Sequence, residues 1–95
     1  MALWSMFVEI EGVRYSTQVT ANDVRGAIRV YLKTGGLKEC LGKLSSKGWP
    51  ASFSMKDIVL FLPMEGLVNM HLCQIGREGK YVSVVMARTV SRKHA

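Results

Sequence analysis

Cysteine, proline and carboxylates are all scarce in this chain, and each shortage removes a class of explanation. Two cysteines among 95 residues, Cys40 and Cys73, are too few for the disulfide framework that holds small secreted domains together. Both read as reduced thiols packed as small hydrophobes. Two prolines, no Gly/Ser-rich tract and no recurring period leave no linker, low-complexity segment or repeat, so residues 1–95 are expected to form a single domain with a short basic tail from about 91. Only seven residues are Asp or Glu. Glu9 and Glu11 share a strand face and Asp57 and Glu65 flank an apolar run, and nothing pairs them with a histidine as acid-base chemistry prefers. An enzyme is therefore not expected.

Long apolar runs are missing as well. The opening MALWSMFV is eight residues, no basic segment precedes it and Glu9 and Glu11 follow, which fits neither a signal peptide nor a membrane span. A soluble, cytoplasmic protein without a membrane role is the expectation. His71 and Cys73 lie two apart, on one face of a strand, and Cys40 would join them only if the second helix packs there. Three scattered ligands without close cysteine spacing do not make a metal site, and no cofactor is expected.

What is present suffices for a core. With 48% apolar and 21% charged residues the chain lies in the globular range, and its six methionines read as adaptable core filler. In LWSMFVEIE, Trp4, Met6, Val8 and Ile10 alternate with Ser5, Phe7, Glu9 and Glu11, the period of a half-buried strand. Gly12 permits a tight turn, after which Val13, Tyr15, Thr17 and Val19 alternate in a second strand. Val24, Ala27, Ile28, Tyr31 and Leu32 recur at helical spacing. The expected helix runs from about Asn22 to Thr34, with Thr20 or Asn22 as its cap, Asp23 in the first turn and Gly35-Gly36 at the far end. Gly26 inside it costs about 1 kcal/mol in propensity, which packing or a close neighbour must offset. Leu37, Cys40, Leu41 and Leu44 predict a shorter second helix that stops at Gly48.

Trp49-Pro50 reads as irregular. Five apolar residues from Ile58 to Leu62 predict a strand covered on both faces, hence central or nearly so, ending at Pro63. The remainder predicts two long strands around a four-residue loop, Gly76-Arg77-Glu78-Gly79. The last strand, Tyr81 to Val90, has few of the residues that discourage pairing and reads as an exposed edge suited to self-association. The expected fold is α+β. A mainly antiparallel sheet of about five strands, in the order ββααβββ, carries one long and one shorter helix on one face.

Charge is the clearest departure from an ordinary domain. The net charge is +6, and Arg25, Arg29, Lys33, Lys38, Lys43, Lys47 and Lys56 face a single acid, Glu39, between positions 25 and 56. Arg25, Arg29 and Lys33 are four apart and form one stripe of like charge beside the apolar face of the first helix, so intrahelical pairing does not explain them. A row of phosphates would, and the basic pI of about 9.7 meets the first test for a nucleic-acid binder. The residues expected to contact RNA or DNA are Arg25, Arg29, Lys33, Lys43 and Lys47, extended by Lys80, Arg92 and Lys93, with Trp49 as the best stacking aromatic, although a tryptophan beside a proline is more often structural. The competing reading is a homodimeric protein-interaction module or adaptor whose basic face meets an acidic protein.

Named motifs are absent. Gly36 to Leu44 resembles a P-loop only superficially: five residues, not four, separate its glycines, and Leu44 stands where the hydroxyl should be. The Gly76 to Gly79 segment lies between strands and not between helices as in a KH domain. Neither an RRM signature nor the leading helix of a double-stranded-RNA module is present.

Overall fold

Alternation over the first twenty residues becomes a hairpin of β1 (Ala2–Ile10) and β2 (Val13–Ala21), with Ile10 opposite Val13 and Trp4 opposite Val19. Trp4, Met6, Val8 and Ile10 are all buried, as their period requires. The computed structural model describes residues 1–34, 37–66 and 69–89. After the hairpin come α1 (Val24–Thr34) and α2 (Leu37–Leu44), then β3 (Ile58–Pro63), β4 (Met70–Arg77) and β5 (Lys80–Arg88). The fold is a small α+β domain whose five strands form one antiparallel sheet in the order β2-β1-β5-β4-β3. No helix among the described residues is long and apolar enough to cross a membrane.

The core lies on one face of that sheet. Ala27, Ile28, Tyr31 and Leu32 of α1 and Leu37 and Leu41 of α2 are buried with Trp4, Met6, Val8, Cys73, Ile75, Val82, Val84 and Met86 from the strands. Asp23, and neither Thr20 nor Asn22, caps α1: its Oδ1 accepts from the Gly26 amide at 2.7 Å. The helix accordingly begins at Val24, two residues later than its pattern suggests, and the compensating neighbour of Gly26 is this carboxylate. The helices are eleven and eight residues long. Gly48, in the left-handed region at φ 83°, closes the short 3₁₀ turn Ser45–Lys47 that continues from α2. The Gly35-Gly36 stop lies outside the described residues.

Three expectations need correction. β3 is an edge strand, not a central one: Val59 is 57% exposed and Leu62 39%. Pro63 and a bulge between Ile58 and Leu60 suit an edge, where a missing donor breaks no ladder. β5 conversely is the middle strand, between β1 and β4, so Tyr81 to Arg88 offers no free edge. Finally, the last hairpin turns on Glu78-Gly79 alone, because Gly76 and Arg77 belong to β4. A Cβ on Gly76 would stand 2.3 Å from Cδ1 of its cross-strand partner Tyr81, so glycine is needed there for close approach and not for a loop.

Both two-residue turns have the same sequence and geometry. Glu11 and Gly12 have φ 50° and 75°, Glu78 and Gly79 have φ 55° and 80°, the signature of a type I′ turn that matches strand twist. Glutamate in this region is strained by about 1 kcal/mol, whereas asparagine tolerates it. Glu78→Asn should therefore stabilise the domain by about 0.5–1 kcal/mol, read as a rise of a few degrees in melting temperature. A lower melting temperature would refute strain at this turn.

Candidate functional site

The segment between α2 and β3 crosses the end of the sheet and is clamped at several points. The Trp49 indole is buried at 7% exposure and its Nε1 donates to Glu11 Oε1 at 3.0 Å. Phe53 meets that ring edge-on with centroids 6.5 Å apart, and the Lys80 ammonium lies 6.0 Å from the Trp49 centroid. Arg77 reaches over Phe53 at 5.6 Å, donates to the Ser52 carbonyl at 2.7 Å and pairs with Asp57 at 3.8 Å. Ser54 and Asp57 close a capping box around the turn Met55–Asp57. Six residues from Ser52 to Asp57 thus have a set path, and Lys56 projects from it.

That path forms one wall of a groove of about 490 Å³. The opposite wall is the last part of α1, with Arg29, Leu32 and Lys33, and the start of α2, with Lys38. Arg29, Lys33, Lys38 and Lys56 are exposed, line the groove together, and carry no ion pair among the described residues. No carboxylate lines it. Of the acids nearest in sequence, Asp57 pairs with Arg77, Asp23 caps α1, and Glu39, next to Lys38 in the first turn of α2, is exposed but does not line the groove. Four unneutralised cations around one concavity repel one another at modest cost in water and gain most when an anion enters between them. Ser52 and Ser54 also line the groove, the Ser54 hydroxyl being held in the capping box.

The other residues singled out by sequence lie in different places. Arg25 extends the α1 row by one turn and lays its guanidinium 5.7 Å from the Phe61 centroid. Lys43 borders a separate small hollow with Glu11 and Cys40, and Lys47 is exposed on the 3₁₀ turn. Lys80 covers Trp49. Trp49 presents no face for a base, since burial and the bond to Glu11 commit it to the fold. Arg92 and Lys93 lie outside the described residues. Lys38 and Lys56 belong to the uneven run of seven cations, but no local period links them to Arg29, because the chain between them doubles back.

Other groups with chemical potential are buried or paired, and His71 Nδ1 is buried without a hydrogen-bond partner among the described residues. Among the described residues no cluster of three or more His, Cys, Asp or Glu could hold a metal. Burial pushes the Cys73 thiol up to about 11, with Arg25 opposing, which keeps it protonated and a poor nucleophile. His71 shares the Cys73 face, wedged between Trp4 and Phe61 at centroid distances of 6.4 and 6.2 Å. The hydroxyls of Tyr15 and Tyr31 bond each other. Burial raises both, Tyr15 to about 12, so they act as a neutral tie between β2 and α1.

No protein-family model, curated protein or solved structure matches this chain.

Proposed function

We propose that the chain is a small accessory protein that binds RNA or DNA through backbone phosphates seated along the groove. The observation that carries this reading is the convergence of Arg29, Lys33, Lys38 and Lys56 on a concavity without a carboxylate. Arg25, four residues before Arg29 on the same helix, continues the row toward the β3 edge. Recognition is expected to be by charge and shape, since the one aromatic in the groove, Phe53, is only 5% exposed and covered by Arg77. Without a stacking face or a base-reading motif, affinity should depend little on sequence.

Salt dependence tests this directly. Four phosphate contacts predict a slope near −3.6 in log affinity against log salt on duplex DNA, a loss of roughly 150-fold between about 50 and about 200 mM. Titration of a labelled duplex oligonucleotide by fluorescence anisotropy reads that slope. Undetectable binding at low salt would overturn the proposal in favour of an acidic protein partner. A slope near zero would do the same for phosphate recognition.

A further inference from the structure

The helices cover one face of the sheet, and no described helix lies on the other. An antiparallel sheet that faces water usually presents polar residues there. Here the register places Phe7 beside Val85, Val85 beside Leu72 and Leu72 beside Leu62, an apolar row across β1, β5, β4 and β3. Phe7 is 49% exposed, Leu62 39% and the flanking Leu3 36%. We infer that this open face is a homodimer interface, packed against the same face of a second copy of the chain.

Charge and area argue for that occupant. The only charged side chains on this face of the described strands, Glu9 and Arg14, pair with each other at 2.9 Å, so the face is close to neutral. A basic or an acidic partner finds little to match, whereas a second copy offers the same neutral face, its apolar row bordered by uncharged polar residues such as Ser5, Ser16, Gln18 and Gln74. The groove cations belong to the helix layer. Sheets packed about 10 Å apart, with a helix layer of about 10 Å behind each, hold the two cationic surfaces roughly 30 Å apart. The screening length is about 8 Å at physiological salt, so the positive charge does not oppose this pairing. Five strands of about eight residues span roughly 24 by 26 Å, or about 600 Å² in projection and more once corrugation is counted. A standard interface buries about 800 Å² per partner. Val85, on the middle strand, lies near the two-fold axis such an arrangement needs.

Sedimentation velocity from about 1 to about 100 µM should show a dimer of the 10.6 kDa chain with a dissociation constant at or below about 10 µM. Phe7→Glu with Leu62→Glu, both at exposed positions, should give a monomer with the far-UV spectrum of the wild type. Ser16→Pro tests the rival mode, edge pairing through β2. In a two-residue hairpin Tyr15 and Thr17 bond to β1, so the Ser16 amide points away from it; proline there blocks edge pairing and, opposite Phe7, changes the open face only by exchanging a small serine for a compact ring. This variant should remain dimeric. A wild-type monomer at the highest concentration, or a dimer that survives the double variant and is lost in Ser16→Pro, would overturn the inference. Should the double variant fail to fold, wild-type methyl spectra on dilution decide. Movement at Val85, Leu72 and Leu62 supports the face, and movement confined to helix-layer groups such as Leu41 refutes it.

Discussion

Arg29→Glu combined with Lys56→Glu should weaken oligonucleotide binding by about 100-fold or more at ~0.1 M salt, and flatten the salt slope to about −1.8 or less. The two residues stand on opposite walls of the groove, one on α1 and one on the turn before β3. Removing two of four contacts forfeits the release of about two counterions, near 60-fold at this salt, and the new carboxylates repel phosphate as well. Both side chains are exposed and unpaired among the described residues, so the fold should not suffer. Lys43→Glu with Lys47→Glu is the matched control, equal in charge change but outside the groove lining. If local geometry matters, the control loses only a few-fold. Equal losses in the two variants would show that net charge alone drives binding, and the groove would lose its meaning as a site.

Trp49→Ala should destabilise the domain by about 3–5 kcal/mol, the range for deleting a buried aromatic, measured by urea denaturation. A domain of this kind has only about 5–15 kcal/mol in total, so the variant should be partly unfolded at 37 °C. The loss has more than one source. A large apolar ring leaves the contact with Phe53, Lys80 loses the face it covers, and Glu11 loses the indole donor. Since Arg77 and Phe53 complete the same clamp, the wall that projects Lys56 loosens with it. Trp49→Phe should retain about half of the stability, because it keeps the ring contact and removes the hydrogen bond. A stacking tryptophan behaves in the opposite way, with binding lost and the melting transition unchanged. That result would return Trp49 to the interface.

The contrast between these two residues shows what a local pattern conveys. Arg29 is on the solvent side of α1 whatever the tertiary fold, because the helical period that buries Ile28 and Leu32 turns it outward. Nothing comparable applies to Trp49, which lies in irregular chain where exposure depends on what the segment crosses. It crosses the end of β1, and Glu11 of the first turn is in place to accept its indole hydrogen. A partner 38 residues away leaves no trace in composition or spacing.

By itself the sequence determined the local layer of this protein. It specified the inward side of β1 and β2, the helical face of α1, the first tight turn and the concentration of unbalanced cations in the middle third. The first three follow from periods of two or 3.6 residues, or from the backbone freedom of glycine, which act over a few neighbours, and the cation excess is a matter of composition alone. Tertiary structure decided the strand order, and with it which apolar strand is covered. Pairing of β1 with β5 joins the two hairpins near the chain's ends, which makes β5 central and leaves β3, the most continuous apolar run, on an edge. It also brought Lys38 and Lys56 to Arg29 and Lys33. The crossover from β2 to β3 must span the whole sheet, and the charges on its far limb face α1 only once that path is closed.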